Sequence, residues 1–181
     1  MTGMPLALVY ETHATTVDNE LGIATGWLPG ELSEAGLAQA AELGQRRRDD
    51  GIAAVYASDL ARAVQTADIA FRGSGIPVRL DRRLRECDYG ELNGCRVERL
   101  AQERPRHLTE PFPGGQSYAD VVAATAEFLG DLTRAFSGER VLVIAHSANR
   151  WALDHLLHGA DLAELVTAPF AWRPGWEYDV A

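Results

Sequence analysis

The chain has 181 residues, of which 46% are hydrophobic and 24% charged, a composition typical of a globular protein with a hydrophobic core. Its formal net charge of −9 argues against nucleic acid or an anionic membrane surface as a partner, because both repel an acidic protein. No apolar run approaches the roughly 20 residues that a transmembrane helix needs, and the N-terminal stretch lacks the charged and apolar regions of a signal peptide.

The first elements in chain order are a strand, a long loop and a helix. Residues 6–10 form a short apolar run that is typical of a buried strand. The next stretch, from residue 11 to about residue 32, is polar and contains glycine, which favours a loop. Ser33 then precedes apolar residues at helical spacing, so it is the expected N-cap of a helix.

The middle of the chain repeats this alternation. Residues 52–57 predict a second buried strand, and apolar residues at helical spacing from 60 to 70 predict a helix capped by Ser58 or Asp59. Residues 76–80 are a candidate third strand, and residues 86–94 are polar and contain glycine, so we expect a loop there.

The last part of the chain contains three predicted helices and the clearest strand. A short helix is expected over residues 96–103, and a long amphipathic helix over residues 117–136. Arg140–Ala145 (RVLVIA) is an apolar strand, and a helix is expected from about residue 149 to residue 158.

This alternation predicts an α/β fold, a three-layer sandwich with a mainly parallel central sheet and helices on both faces, as a single domain over residues 1–181. Sites in such sheets lie beyond the carboxyl ends of the strands. Three strands are followed by polar side chains, so the pattern predicts that two histidines and an arginine converge there. These residues lie in the segments Glu11-Thr12-His13, Ser58 to Arg62, and His146-Ser147.

Six motifs in order, between residues 6 and 150, resemble those of the histidine phosphatase superfamily. The stretch LVYETHATTVDN resembles that family's strand, Arg-His-Gly and following Thr and Asn, while GWLPGELSEAGLAQA matches the next segment. SDLARAVQTA and LRECDYGELNG match the Ser-x-Leu-x-Arg-Ala-x-x-Thr-Ala and Leu-x-Glu-x-x-x-Gly segments. PGGQS and VLVIAHS complete the series.

The resemblance implies a role for each matching residue. His13 falls on the nucleophilic histidine, His146 on the second histidine and Glu86 on the proton donor. Arg62 falls on a phosphate-binding arginine, and Asn19 on the family's asparagine. A neutral imidazole can attack phosphorus to give a phosphohistidine, and a buried carboxylic acid can protonate the departing alkoxide.

One departure from the family pattern concerns the residue before His13. Thr12 replaces the arginine that normally binds phosphate, and a hydroxyl provides neither its charge nor its two parallel donors. Either another cation, such as Arg85 or Arg150, rebuilds the site, or the substrate is not an ordinary phosphate monoester. We expect Thr12, Ser147 and Glu11 to contact the substrate, with Glu11 repelling a phosphate or ordering a nearby group.

The remaining conspicuous residues are expected to be structural. Cys87 and Cys95 are interpreted as reduced thiols, and Trp27 as packed in preference to stacking on a ligand. Trp172 and Trp176 are expected to close the core. The other histidines are expected at the surface or on helices, and the arginines at positions 46–48 at a solvated helix end; these are His107, His155, His158, Arg46, Arg47 and Arg48.

The expected function is that of a cytoplasmic phosphatase that needs neither a metal nor a cofactor and acts on a small phosphorylated metabolite. No metal-ligand spacing is found, and a homodimer is left open. A phosphoglycerate-type mutase is a second hypothesis, although such enzymes need a longer substrate cap. A third hypothesis, suggested by Thr12, is a binding or regulatory module or an enzyme of other acid–base chemistry.

Overall fold

The computed structural model describes residues 4–181. Residues 1–3, which belong both to the expected domain and to the stretch judged for a signal peptide, lie outside the described residues. Within the described part, no helix combines the length and the apolar character that a membrane crossing requires. In chain order the elements are β1 (Leu6–Thr12), α1 (Val17–Leu21), β2 (Ile23–Ala24), α2 (Glu34–Arg47), β3 (Ala54–Ala57), α3 (Ala61–Phe71), β4 (Val78–Leu80), β5 (Cys95–Arg96), α4 (Val97–Glu103), α5 (Tyr118–Ala135), β6 (Arg140–Ala145), α6 (Ser147–His158), α7 (Leu162–Thr167) and β7 (Trp176–Val180).

Five strands form the central sheet, in the order β4-β3-β6-β1-β7. The first four run parallel, and β7 pairs with β1 in the antiparallel direction. The predicted α/β fold with a mainly parallel sheet is therefore confirmed. The edge strand β7, whose residues alternate between buried and exposed, was not among the sequence predictions.

Helices cover both faces of the sheet, because alternate residues of β1 enter two different cores. Leu8 and Tyr10 pack with residues of α5 and α6, whereas Val9 packs with residues of α2 and α3. Glu11 continues the second set, so its side chain is directed to the same face as Val9. This alternation decides which residues at the end of β1 reach the site.

Several local predictions are refined by the structure. The expected loop after β1 contains the helix α1 and the short strand β2, which pairs with β5. Ser33 is confirmed as the N-cap of α2, since its hydroxyl accepts from the Gly36 N–H. The predicted side-chain cap of α3 is wrong: Leu60 is the N-cap, and it makes no side-chain cap bond. Ser58 Oγ accepts from the Leu60 N–H, outside the helix, and Asp59 binds Arg85.

Candidate active site

Three neighbouring strand ends bring His13, Arg62 and His146 together. β1 and β6 are adjacent, and the His13 and His146 rings lie with their centroids 5.1 Å apart. Arg62 is carried by α3, whose first turn follows β3 on the other side of β6. The structure thus produces the convergence that the alternation of strands and helices predicts.

The imidazole of His13 is held with one nitrogen available. Its Nδ1 lies 2.8 Å from the Ala14 carbonyl oxygen and donates to it, so the lone pair of the neutral ring is on Nε2. Burial, together with the positive charge of Arg62, lowers the pKa of His13 to about 3. The ring is consequently neutral near pH 7, as a nucleophilic nitrogen has to be.

His146 is buried and held from three sides. Its Nε2 lies 2.8 Å from Ser58 Oγ, and its backbone N–H donates to Asn149 Oδ1 at 3.1 Å. The hydroxyl of Tyr10 donates to its carbonyl oxygen. Burial, with contributions from Arg62 and His13, lowers the pKa of His146 well below its usual value, so this ring is also neutral.

Arg62 offers a free donor in a buried position. Its side chain is almost fully buried, and Nη2 donates to the Gly26 carbonyl at 2.9 Å. Its Nη1 has no hydrogen-bond partner within residues 4–181. Buried donors are nearly always satisfied in folded proteins, so an unpaired guanidinium nitrogen beside His13 indicates a place for an anionic oxygen.

Glu86 is a buried carboxyl group on the same side. Burial raises its pKa, although the Cys87 N–H, which donates to Oε1 at 2.8 Å, and the charge of Arg62 oppose that rise. The indole N–H of Trp27 donates to the Glu86 carbonyl at 2.6 Å, and the Arg85 guanidinium stacks on the indole ring. Trp27 therefore packs against the backbone of Glu86.

Two cavities meet at His13. The smaller, about 120 Å³, contains Arg62, Glu86 and Arg104 in its wall, and we call it the arginine-side cavity. The larger, about 330 Å³, contains Thr12, and we call it the Thr12-side cavity. Asn19 and Ser147 line both, so three of the expected contacts, Thr12, Asn19 and Ser147, lie around His13.

Arg104 is the cation that the sequence analysis missed. It follows α4, half-buried, and its guanidinium lies over the ring of Trp151 with a distance of 5.3 Å to the ring centroid. Arg85 and Arg150, the cations suggested as replacements for the family's arginine, bind Asp59 and Asp154 instead. Arg104 belongs to no motif in the sequence, and only the tertiary fold shows its proximity to Glu86.

The expectation that Glu11 contacts the substrate is wrong. The carboxylate is 2% exposed and accepts from Arg47 Nε at 3.0 Å and from Arg46 Nη2 at 3.3 Å. The predicted solvated arginine run is correct in part: it lies at the end of α2, and Arg46 and Arg48 are exposed, but Arg47 is mostly buried against Glu11 and Arg48 Nε donates to the Ala70 carbonyl. Strand alternation directs Glu11 toward α2, on the opposite side of β1 from Tyr10.

The aromatic residues near the C-terminus divide into two roles. Trp176 is buried against Tyr10, as expected for a residue that closes the core. Trp172 is 57% exposed, which contradicts that expectation, and it lines the Thr12-side cavity with Phe170. The backbone between α7 and β7 forms no regular structure, so Trp172 is presented from a loop.

The remaining predicted residues lie away from the two cavities or serve packing. Cys87 and Cys95 are free thiols, and burial raises the pKa of Cys87. His107 packs on Phe112, His158 stacks on Tyr178, and His155 is exposed. Within residues 4–181, no group of three or more His, Cys, Asp and Glu side chains is arranged to hold a metal ion.

Comparison with known proteins adds a family and several relatives. The model of the histidine phosphatase superfamily (branch 1) matches residues 12–171. The chain is 33% identical to a 2,3-bisphosphoglycerate-dependent phosphoglycerate mutase of Methylobacterium sp. (strain 4-46), over 86% of this chain and 82% of that protein. It is 30% identical to phosphoserine phosphatase 1 of Hydrogenobacter thermophilus, over 87% of this chain and 78% of that protein. Among solved structures, YhfR of Bacillus stearothermophilus superposes with a TM-score of 0.82 at 28% identity, covering 93% of this chain and 88% of that one.

Proposed function

This chain belongs to the histidine phosphatase superfamily, and from that premise we propose that it is a metal-independent phosphatase of a small phosphorylated metabolite. One observation carries the proposal: His13, Glu86 and two arginines, Arg62 and Arg104, line a single small cavity. A nucleophile, an acid and two cations are the groups that transfer of a phosphoryl group to a histidine requires.

The proposed reaction begins with attack by His13 Nε2 on phosphorus. The new N–P bond forms as the P–O bond to the leaving group breaks, and the proton of Glu86 passes to the departing oxygen. Arg62, through its unpartnered Nη1, and Arg104 stabilise the negative charge on the other phosphoryl oxygens. The raised pKa of Glu86 supports this role, because burial favours the protonated form of the carboxyl group, which is the form that can donate the proton.

Hydrolysis of the phosphohistidine completes the cycle. Water attacks phosphorus, the carboxylate of Glu86 takes a proton from it, and the N–P bond breaks to return the electron pair to His13 Nε2. His146 lies beside His13, and its imidazole ring is neutral. Its proposed role is to donate a hydrogen bond to a phosphoryl oxygen as an uncharged group. No step in this sequence calls for a metal ion.

The test is to trap the intermediate. We expect brief incubation with a ³²P-labelled phosphate ester, stopped without acid, to leave label on His13, and His13→Ala to abolish both label and turnover. His155→Ala, an exposed histidine on α6, is the matched control and should label normally. Full turnover by His13→Ala would refute the nucleophile assignment, and absence of turnover with every ester of a broad panel would favour the non-phosphatase hypothesis.

A mutase is the second candidate, because the relative from Methylobacterium is named as one. Both functions pass through the same phosphohistidine and differ in the group that accepts the phosphoryl. Labelled phosphoenzyme should therefore be mixed with 3-phosphoglycerate in water. Release of inorganic phosphate supports the phosphatase, whereas recovery of the label in bisphosphoglycerate supports the mutase.

A further inference from the structure

The two cavities beside His13 differ in charge. The arginine-side cavity holds both guanidinium groups, Arg62 and Arg104, and the carboxyl group of Glu86. Among residues 4–181, no Arg, Lys, Asp or Glu lies in the wall of the Thr12-side cavity. A substrate whose phosphorus lies at His13 therefore meets charged groups on one side and only uncharged groups on the other.

The Thr12-side cavity is suited to an uncharged ring. Its volume of about 330 Å³ is at the lower end of the range for pockets that bind organic molecules. Phe170 and Trp172 present apolar faces, and both are more than half exposed without a bound partner. Thr15 N donates to Gln39 Oε1 at 3.0 Å, which fixes the amide and leaves its NH₂ group as a hydrogen-bond donor.

The in-line geometry of the reaction decides which substituent this cavity can receive. The leaving oxygen must lie opposite His13 Nε2 and within reach of Glu86, and Glu86 lines only the arginine-side cavity. A group in the Thr12-side cavity is then attached through an oxygen that does not leave. A phosphate monoester has no such group, whereas a phosphodiester has one.

Charge leads to the same conclusion. A monoester dianion spreads two negative charges over its free oxygens, and Thr12 gives one side of the site no cation to meet them. A diester carries a single negative charge, which the two arginines can face, while its neutral ester arm lies along Phe170 and Trp172. We propose that the enzyme also hydrolyses phosphodiesters, with the retained ring-bearing alcohol in the Thr12-side cavity; this inference rests on the proposed function of His13.

The proposed step conserves atoms and charge. His13 Nε2 forms a bond to phosphorus as the bond to one ester oxygen breaks, and Glu86 protonates that oxygen to release an alcohol. The intermediate is a phosphohistidine that still carries the second alcohol as an ester. Water, deprotonated by Glu86, then breaks the N–P bond and releases a phosphate monoester, which is the kind of substrate proposed above for the same site.

The experiment compares two substrates that share one leaving group. Bis(4-nitrophenyl) phosphate and 4-nitrophenyl phosphate both release nitrophenolate, so the ratio of their kcat/KM values compares a diester with a monoester at a constant leaving group. Methyl 4-nitrophenyl phosphate has the charge of a diester without the second ring. We expect wild-type enzyme to hydrolyse the bis-aryl diester, with a kcat/KM at least tenfold above that of the methyl diester.

Two variants test where the retained ring binds. Thr12→Arg puts a cation into the Thr12-side cavity and fills it. The kcat/KM for the monoester should then rise and that for the diester should fall, so that the ratio of diester to monoester kcat/KM falls at least 100-fold. Trp172→Ala, at an exposed position that tolerates truncation, should lower the same ratio about tenfold. Leu80→Ala, a similarly exposed residue on the edge strand β4, is the control and should leave the ratio unchanged.

The outcomes separate this inference from the proposed function. Monoester turnover through labelled His13 without diester turnover would overturn the inference and leave the phosphatase standing. Equal losses on both substrates in Trp172→Ala would also overturn it, because the ring of a leaving group would then be the one that binds there. If none of the three substrates releases nitrophenolate, the proposed function and the inference are both contradicted.

Discussion

Arg104 provides the sharpest test of the arginine-side cavity, because no motif assigns it a role. It is half-buried, lies over Trp151 and lines the cavity with Arg62 and Glu86. Its Nε has no hydrogen-bond partner among the residues that the structure describes. Arg104→Met retains an unbranched apolar stem against Trp151 and removes only the charged head, so the fold should survive the change.

The expected loss follows from the number of cations. In the proposed reaction two arginines face the phosphoryl group, and removal of one preorganised donor from a transition state costs about 10²–10³ in rate. Burial raises the pKa of Glu86, and the positive charge of Arg104 opposes that rise. Loss of Arg104 should consequently raise that pKa further, and the fall in activity at high pH should move to higher pH.

The assay is kcat/KM for an alkyl phosphate, whose leaving group needs the proton of Glu86, between pH 5 and pH 9, measured for wild type, Arg104→Met and Arg106→Met. Arg106 lies two residues away in the same turn, with a side chain 74% exposed, so its variant is the matched control and should behave as wild type. A loss of less than threefold in Arg104→Met, or an equal loss in Arg106→Met, would refute the assignment. An unchanged pH profile would show that Arg104 does not act on Glu86.

Four further outcomes are expected. Glu86→Gln should slow alkyl phosphates at least 100-fold more than nitrophenyl phosphate, because an alkoxide needs a proton to leave, and equal losses would remove Glu86 from the acid role. The pKa of His13 is about 3, so the nucleophile stays neutral above that pH and does not set the pH dependence. We therefore expect kcat/KM to fall as pH rises through the raised pKa of Glu86, and this fall should be absent from a stopped-flow pH series of Glu86→Gln. Glu11→Ala should lower the free energy of unfolding in urea by about 3 kcal/mol, since it leaves Arg46 and Arg47 without their buried partner, and a change below 1 kcal/mol would contradict this. EDTA should leave turnover unchanged, and a loss that a divalent ion restores would reveal a metal site.

The sequence predicted the parts of the site that depend on strand ends. His13, Arg62 and His146 each follow an apolar strand or begin the helix after it, and a parallel sheet brings such positions to one edge. The spacing of apolar residues was sufficient to predict the core helices, because a helix with one buried face places apolar residues at a period of 3.6. The residue type at position 33, a serine directly before the helical pattern, was sufficient to predict the N-cap of α2.

The errors concern side chains whose surroundings come from distant parts of the chain. The polar sequence from residue 11 predicts a loop that includes Glu11, whereas β1 extends to Thr12 and its alternation turns Glu11 toward Arg46 and Arg47. Arg104 reaches the site only because α4 and the turn after it pack against Glu86 and Trp151. Neither relation leaves a local pattern, so no periodicity or spacing could have predicted it.

The structure also shows why position 12 can change without disturbing the nucleophile. The backbone N–H of His13 donates to the Ala145 carbonyl at 2.9 Å, and the Ala14 N–H donates to Thr66 Oγ1, which itself donates to the Arg62 carbonyl. These bonds fix His13 and link it to α3 through main-chain groups, none of which belongs to the side chain of residue 12. Replacement of arginine by Thr12 therefore alters the charge and volume beside His13 while the reactive nitrogen keeps its place. In the proposed reaction, a substitution of this kind changes which phosphate esters fit the site, while His13 stays in position to form the phosphohistidine.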